Sequence, residues 1–322
     1  MTQQSGFVNA PVIRAQALYE MALGMWSDRT IRERDFGSIR LALDALGPAA
    51  QKPALTIATD TPDCAQAVAR GAADLSVVNP SALLTMAYRG TGPFAEALPL
   101  LGVAVMPSWD LMVFMVAQRT GLQSLAAIRE QRYPLRVSVR AAPTHATRFV
   151  IEEVLGSLGF SLKDIESWGG SIHYGASPAD QSRFEGIRDG TLDAVFDEGI
   201  NGWAPLALQS GMRPLPLSAD VEQHMTALGW EIRPMSGTRF PELAADVPCV
   251  DFSGWPMFVR KDASETTVFE MCRALDAARG RIPWDSDAPV QLTDLAGRTD
   301  AAPLAIPLHP GAERYYREHG AL

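Results

Sequence analysis

GAADLSVVNPS at residues 71–81 and GTLDAVFDEG at residues 190–199 share one pattern that decides the fold. Each begins with a Gly, has an Asp three residues later, continues with a short apolar run and closes on polar residues. Gly favours the left-handed conformation that ends a helix, and a short apolar run between turn residues is typical of a buried strand. Two such units in separate halves of the chain predict two similar lobes.

The rest of the sequence alternates short β-rich runs with longer amphipathic stretches. Strands are predicted at residues 55–59, 74–78, 111–117, 135–139 and 192–196, and helices at residues 64–70, 81–89, 122–131 and 146–158. This alternation is typical of α/β proteins, in which crossover helices join parallel strands. We therefore predict a two-lobed α/β fold in which each lobe is a mainly parallel sheet flanked by helices. Lobe I is predicted at residues 1–110 plus 216–322 and lobe II at residues 111–215, with a ligand cleft between them.

Composition narrows the class of partner. Of the 322 residues, 47% are hydrophobic and 20% are charged, as in globular proteins. The net charge of -9 predicts no nucleic-acid partner, because nucleic acids require clustered Lys and Arg. No run reaches the roughly 18 apolar residues of a membrane span, so no membrane insertion is expected. The N-terminus lacks the basic and apolar pattern of a secretory signal. This predicts a cytoplasmic protein, or a periplasmic one whose leader has been trimmed.

The commonest cofactor and metal motifs are missing from the sequence. The three Cys residues, Cys64, Cys249 and Cys272, form no CxxC pair, which rules out a disulfide scaffold. The sequence also contains no phosphate-binding P-loop, dinucleotide-binding GxGxxG or zinc-binding HExxH. We therefore expect neither a cofactor nor a metal ion.

Polar residues after the predicted strands are the first candidates for a ligand site. In open α/β sheets, ligands bind beyond the carboxyl ends of the strands. Asp60 and Thr61 follow the first predicted strand, and Asn79 and Ser81 follow the second. Each pair also precedes a helix, so a helix-capping role is the alternative interpretation.

The segment RAAPTHATR at residues 140–148 is the best candidate for an anion site. Small residues and hydroxyls before a strong helix present free N–H groups and the positive end of the helix dipole. Arg140 or Arg148 can add a bidentate contact to a carboxylate, and Thr144 and Thr147 can add hydroxyl groups. His145 is either a polar residue satisfied by its neighbours or a proton-transfer group.

Aromatic and acidic residues mark the remaining predicted loops. Asp197 and Glu198 follow the last predicted strand and precede Trp203, an arrangement that indicates either a cleft rim or a solvated acidic turn. Trp residues beside polar groups suit the stacking of a flat ligand. On this basis the candidate ligand contacts also include Trp26, Asp28, Arg29 and Trp109.

From about residue 55 onward the chain resembles the TAXI group of TRAP-transporter solute receptors. The matching pieces occur in the same order: GAADLSVVNPSALLTMAYRG, VSVRAAPTHATRFVIEEVLGSLGF, IRDGTLDAVFDEG and the C-terminal PGAERYYREHG. The resemblance implies a type II periplasmic-binding-protein fold, a small organic acid as ligand and, if the protein is exported, transporter membrane subunits as partners. By position, it implies that Asn79, Ser81, Thr144, His145 and Thr147 face the ligand. The ligand loops at residues 21–37 and 197–205 depart from the Gly-rich pattern of the group.

Two functions follow from these observations. The first is a solute-binding protein for an aliphatic or aromatic carboxylate. The alternative is a cytoplasmic, cofactor-free decarboxylase or lyase on the same fold, since MALGMWSDRT is similar to the start of 4,5-dihydroxyphthalate decarboxylase-like proteins. In that alternative His145, Asp197 and Glu198 are the catalytic residues.

Overall fold

The computed structural model describes residues 40–44, 54–59, 62–281, 284 and 288–322. Its strands are β1 (Arg40–Asp44), β2 (Ala54–Thr59), β3 (Leu75–Val77), β4 (Leu100–Met106), β5 (Leu111–Ala117), β6 (Arg136–Arg140), β7 (Ser171–Gly175), β8 (Ala194–Asp197), β9 (Met212–Pro214), β10 (Ile232–Met235), β11 (Val247–Asp251), β12 (Trp255–Arg260), β13 (Arg298–Thr299) and β14 (Ala302–Pro303). Its α-helices are α1 (Pro62–Ala69), α2 (Ser81–Arg89), α3 (Leu125–Glu130), α4 (Ala146–Ser157), α5 (Leu162–Ser167), α6 (Gln181–Asp189), α7 (Ile200–Gln209), α8 (Ala219–Leu228), α9 (Glu265–Ala278), α10 (Leu292–Leu295) and α11 (Pro310–Glu318). Strands and helices alternate as predicted, with bounds that differ by a few residues.

The two main sheets are mixed, whereas mainly parallel sheets were predicted. The first sheet has the order β1-β2-β3-β12-β4, and only β2 and β3 run parallel in it. The second has the order β10-β11-β5-β8-β6-β7, with β9 on β5, and only β6 runs parallel to its neighbours β7 and β8. The prediction of mainly parallel sheets is therefore wrong. Its cause is that β5 and β12 each enter a sheet from the other one and lie antiparallel to the strands beside them.

The repeated unit that the sequence predicts is present once in each sheet. Gly71 follows α1 and Gly190 follows α6, and both have a φ of 73°. Only Gly adopts this left-handed conformation without steric cost, so each Gly ends its helix and turns the chain into the next strand. The strands that follow are β3 in the first sheet and β8 in the second.

Two short segments carry the chain between the sheets. Residues 107–110 lead from β4 to β5, and residues 252–254 lead back from β11 to β12. We call them the crossing segments. They lie side by side: the Phe252 N–H donates to the Asp110 carbonyl oxygen at 3.0 Å, and the Gly254 N–H donates to the Ser108 carbonyl oxygen at 2.9 Å.

The position of the crossing segments revises one predicted boundary. The chain enters the second sheet at residue 111, where the sequence places the start of lobe II. However, β10 pairs with β11 and β11 pairs with β5, so residues 232–251 lie in the second sheet and not in the first. The division into lobes stays a prediction, with its second boundary moved from residue 215 to residue 251.

Strand β5 explains why a continuous apolar run forms a strand here. All seven of its residues are buried. Alternate side chains enter two different core clusters: Met112, Phe114 and Val116 pack in one, and their neighbours along the strand pack in the other. A strand buried on both faces has no polar face, and each side chain removed from water contributes about 1.5–3 kcal/mol. In the described part of the chain, no helix is long and apolar enough to cross a membrane.

Candidate functional site

The polar turns after several strands converge on the crossing segments. The Ser81 N–H, at the start of α2, donates to the Ser253 carbonyl oxygen at 3.2 Å. The Ser253 hydroxyl donates to the Asp110 carbonyl oxygen at 3.1 Å. The Asp110 carboxylate in turn accepts the N–H of Gly199 at 2.7 Å, in the turn after β8. One chain of hydrogen bonds therefore joins the turns of both sheets, as the rule of strand carboxyl ends predicts.

Asp110 caps a helix that has no side-chain cap of its own. Helix α7 begins after Gly199, which carries no side chain. The Asp110 carboxylate accepts the N–H groups of Gly199 at 2.7 Å, Ile200 at 3.1 Å and Leu111 at 2.8 Å. These contacts satisfy free donors at the positive end of the helix dipole. The crossing segment is thereby fastened to the second sheet.

Five ionisable side chains form a buried charge cluster next to this cap: Asp110, Arg140, Arg183, Asp197 and Glu198. Asp197 is fully buried and lies between two guanidinium groups. Arg183 Nη1 is 2.6 Å from its Oδ2, and Arg140 Nη2 is 3.2 Å from its Oδ1. Arg183 also donates from Nε to the Ser138 hydroxyl at 3.0 Å. Removing one member of a buried ion pair typically costs about 3–5 kcal/mol, because its partner is left uncompensated.

The surroundings of Glu198 favour the protonated form of its carboxyl group. Its carboxyl group contacts the Arg140 guanidinium and shares a hydrogen bond with the Asp110 carboxyl group. Burial raises the pKa of Glu198 well above its ordinary value, and the negative charge of Asp110 raises it further. Burial also raises the pKa of Asp110, but its hydrogen bonds with Glu198 and with three backbone N–H groups oppose this shift, because they favour the charged form. The Trp203 indole N–H, which donates to the Glu198 carbonyl oxygen at 2.8 Å, fixes this turn.

His145 presents a neutral donor beside the cluster. It is the N-cap of α4, and its Nδ1 accepts the Thr147 N–H at 3.3 Å. A ring nitrogen that accepts from a backbone N–H has no proton, so the proton of the neutral ring is on Nε2. Burial and then the positive charge of Arg140 lower the pKa of His145 to about 4. At neutral pH the ring is therefore an uncharged Nε2–H donor.

Seven buried side-chain atoms have no hydrogen-bond partner within the described part of the chain: Asn79 Oδ1, Ser81 Oγ, Arg148 Nε, Arg183 Nη2, Asp197 Oδ2, Arg213 Nε and Trp230 Nε1. Of these residues, Asn79, Ser81 and Trp230 carry no charge. Ser81 contacts Ser253 through its backbone N–H, and the Trp230 ring contacts Phe252. The Trp230 ring stacks on Phe252 with 5.8 Å between the ring centroids, and the His145 ring stacks on Phe252 with 6.5 Å between the centroids. A buried polar group without a partner costs about 1–3 kcal/mol. Such groups are rare in folded proteins, and each one requires an explanation.

The remaining predicted residues lie in different surroundings. Thr147 is buried, and its hydroxyl lies 3.0 Å from His145 Nδ1, whereas Thr144 is exposed. Trp109 packs 6.4 Å from Phe240, with the Arg239 guanidinium 3.9 Å over its ring, and its neighbour Asp110 is the residue that enters the cluster. Trp203 is fully buried in the core of the second sheet, so the interpretation of this side chain as part of a cleft rim is wrong. The predicted Trp26, Asp28, Arg29, Asp60 and Thr61 lie outside the described residues.

Sequence reasoning missed several members of the site. Arg183 is the clearest case. Its signal was periodicity, because Arg183, Gly186 and Ile187 form the buried face of α6, and a cation on such a face needs a buried anion. Phe252 and Ser253 gave a weaker signal, as part of a short polar interruption between two apolar runs. Trp230 gave none.

A surface cavity lies away from the buried charge cluster. A surface cavity of about 560 Å³ lies beside α11, and its lining includes Gly297, Arg298, Arg317 and Leu322. It contains no residue of the buried charge cluster. Among the residues that the structure describes, no three His, Cys, Asp or Glu side chains are placed to hold a metal ion.

Comparisons with known proteins find likeness at the level of structure alone. No protein-family model matches the sequence, and no curated protein matches it. Among solved structures, the chain is similar to the alkanesulfonate-binding protein SsuA from Xanthomonas axonopodis pv. citri bound to MOPS. The identity is 16%, with 80% of this chain and 70% of that chain covered and a TM-score of 0.31.

Two further structures show a similar degree of likeness. A chloride-bound protein from Xanthomonas citri is 13% identical, with 81% of each chain covered and a TM-score of 0.39. The glycine/betaine/L-proline-binding protein ProX from Borrelia burgdorferi is 12% identical, with 71% of this chain and 77% of that chain covered and a TM-score of 0.36. Superpositions at these TM-scores are loose, and they carry no functional detail over to this chain.

The strand pairing of the chain itself defines its architecture. Two mixed sheets, each flanked by helices, are joined by a pair of crossing segments that lie side by side. Residues 111–251, between the two crossing segments, contain all the described strands of the second sheet. The chain thus has the two-lobed α/β fold of the type II, periplasmic-binding-protein-like kind that the sequence predicts.

Proposed function

We propose that this chain is a solute-binding protein that holds a small organic acid, an aliphatic or aromatic carboxylate, between its two lobes. The observation that carries the proposal is the set of unpartnered buried atoms at the converging turns, Asn79 Oδ1, Ser81 Oγ and Trp230 Nε1. A ligand that accepts and donates hydrogen bonds there would satisfy groups that the protein itself leaves unsatisfied.

The balance of donors supports an anionic ligand. Ser81, Trp230 and the Nε2–H of His145 offer three donors, and Arg148 Nε and Arg183 Nη2 are two further buried donors without a partner. The acceptors without a partner are Asn79 Oδ1 and Asp197 Oδ2. Helix α2 begins without a side-chain cap, so its first N–H groups add positive potential at Ser81. Arg140, buried on the other side of His145, supplies a formal positive charge. A carboxylate has two oxygens that together accept about four hydrogen bonds, which suits this surplus of donors.

The resemblance to the TAXI group supports transport as the role of this binding. For an exported form of the protein, we propose the periplasm as its location and transporter membrane subunits as its partners. The Pro310–Glu318 helix belongs to the C-terminal segment of that resemblance. It docks on the first sheet, where the Tyr316 hydroxyl donates to the Val103 carbonyl oxygen at 3.0 Å.

Binding can be tested on the full chain with succinate, glutamate, benzoate and phthalate. A ligand of the native state alone stabilises it by about 2.7 kcal/mol at a concentration of 100 times Kd, which a thermal melt detects. At least one of these acids should raise the melting temperature. If none does, the proposal of a small-acid site is contradicted.

A conservative variant locates the site. Ser81→Ala removes one unused hydroxyl, and we expect Kd to rise about five- to tenfold, equivalent to about 1–1.4 kcal/mol. Ser167→Ala is the matched control, since Ser167 is exposed at the end of α5 and its hydroxyl donates only to the Asp164 carbonyl oxygen. Equal affinities for the two variants would place the ligand elsewhere.

The enzyme alternative has one specific observation in its favour. Burial and Arg140 lower the pKa of His145 to about 4, and the pKa of Glu198, which contacts the Arg140 guanidinium, is raised well above its ordinary value. An acid and a base in these states can exchange protons with a bound substrate. Incubation of the same four acids with the protein, followed by chromatography, tests this: consumption of an acid that Glu198→Gln abolishes would replace the receptor proposal by the enzyme one.

A further inference from the structure

The buried charge cluster has an odd number of charges, which matters if the ligand is an anion. Two guanidinium groups, Arg140 and Arg183, face three carboxyl groups, Asp110, Asp197 and Glu198. With all five ionised, the cluster carries one net negative charge away from water. With Glu198 protonated it is neutral. Burying an uncompensated charge is expensive, so the cluster responds to any further charge placed beside it.

The contacts of Glu198 single it out as the group that takes the proton. Asp197 is held by both guanidinium groups and Asp110 by three backbone N–H groups, whereas the Glu198 carboxyl group contacts Arg140 and shares its other interaction with Asp110. Glu198 shares a hydrogen bond with Asp110, and two carboxylates can do so only with a proton between them. The charged groups nearest Glu198 are Asp110 in the crossing segment, Asp197 at the end of β8 and Arg140 at the end of β6. Beyond these lie Arg183 on α6 and His145 at the start of α4.

The position of Arg140 connects this proton to the ligand. Arg140 contacts both Asp197 and Glu198, and its positive charge also acts on His145, whose proton lies on Nε2. A carboxylate bound there meets a neutral cluster when Glu198 is protonated. It meets a negative cluster, with Arg140 already neutralised, when Glu198 is ionised.

We propose that the binding of an anion at this site is linked to the protonation of Glu198, so that the site takes up its solute together with a proton from solvent. This inference rests on the proposed function and specifies its regulation: affinity falls as pH rises. The limiting slope for one linked proton is about tenfold in Kd per pH unit.

The test is isothermal calorimetry with whichever of succinate and benzoate binds, from about pH 6 to about pH 9, the range in which a strongly raised carboxyl pKa would be crossed. The wild type is compared with Glu198→Gln, whose amide keeps a hydrogen-bond donor but cannot ionise. Glu166→Gln, an exposed Glu on α5, is the matched control. We expect Kd to rise with pH for the wild type and the control, and to be independent of pH for Glu198→Gln.

Two buffers with different heats of ionisation give a second measurement that needs no variant. The wild type should take up as much as about one proton per ligand at the alkaline end of the range. The same pH slope in the wild type and Glu198→Gln, or no proton uptake by the wild type, overturns the linkage while leaving binding intact. Failure of both acids to bind at any pH instead contradicts the proposed small-acid site, and the linkage with it.

Discussion

The turns after β3 and β8 occupy equivalent places in the two sheets, but they differ in how far other side chains compensate their polar groups. Both follow the same Gly-x-x-Asp-strand unit, and both precede a helix. After β8, Asp197 is held by two guanidinium groups and α7 is capped by Asp110. After β3, Asn79 and Ser81 keep unpartnered side-chain atoms, and α2 has no side-chain cap. We call the turn after β8 the saturated turn, because ion pairs compensate its charges although Asp197 Oδ2 and Arg183 Nη2 make no hydrogen bond, and the turn after β3 the unsaturated turn.

This difference predicts separate roles for the two turns in folding and in ligand binding. The saturated turn is fixed by its own contacts before any ligand arrives, which reduces the entropy lost on binding. The unsaturated turn gains the most from a ligand, because its polar groups are buried without compensation. Changes in the saturated turn should therefore affect folding, and changes in the unsaturated turn should affect binding.

The largest expected effect comes from breaking the saturated turn. Arg183→Met keeps the buried stem and removes the guanidinium that lies 2.6 Å from Asp197 Oδ2. We expect a loss of about 3–5 kcal/mol in the free energy of unfolding, measured in urea, because a buried carboxylate loses its partner. Arg188→Met, at an exposed position of the same helix, is the control. Equal stabilities for the two variants would contradict the described network.

A pH effect of intermediate size is expected at His145, which lies beside the saturated turn. Its pKa is lowered to about 4 from an ordinary value of 6.5. Between these values the unfolded chain holds a proton that the native state does not, so stability falls as pH is lowered through this window. The ring is half-buried, which reduces the effect of the shift to about 1–3 kcal/mol at pH 4.

The variant His145→Asn isolates this contribution. Asn is a good N-cap, so it can still accept the Thr147 N–H, but it does not titrate. Urea unfolding at several pH values between about 4 and about 6.5 should show a shallower loss of stability than in the wild type. Parallel curves for the two proteins would show that His145 is not the titrating group.

The smallest effect is expected in the unsaturated turn, and a pair of Ser variants sharpens the comparison. Ser81→Ala should change the stability of the free protein by less than about 0.5 kcal/mol, because the hydroxyl has no partner to lose. Ser138→Ala, in the other lobe, should cost about 1.5–3 kcal/mol, because it removes the acceptor of a charged donor, Arg183 Nε. A larger loss for Ser81→Ala than for Ser138→Ala would reverse the contrast.

Local pattern was sufficient to predict the repeated helix–Gly–strand units but not the directions of their strands. The Gly at 71 and 190, the apolar run of β5 and the amphipathic α4 each gave a signal within a few residues. Strand direction depends on the lobe from which the chain arrives, and that information lies in the crossing segments at 107–110 and 252–254. Nothing in either segment alone shows that it pairs with the other.

The candidate site was likewise predictable only in part from the sequence. The rule of strand carboxyl ends predicted the turns with Asn79, Ser81, Arg140 and Glu198, because it depends only on strand order. It could not predict which side chain of a turn lies inside it. Trp203 packs into the core below its own turn. Arg183 reaches Asp197 from α6, the helix before β8, and the sequence does not show that its side chain points to the end of that strand.

The crossing segments also bear on how such a molecule can be assembled from parts. Residues 111–251 leave the first lobe and return to it at points joined by backbone hydrogen bonds between Asp110 and Phe252 and between Ser108 and Gly254. A segment whose ends meet can be transplanted or deleted without stretching the remaining chain. The second lobe is in this sense an insertion cassette. Exchange of the cassette between related proteins would alter the part of the site that contains Arg140, Arg183 and Asp197 while leaving the part that contains Ser81 in its original host.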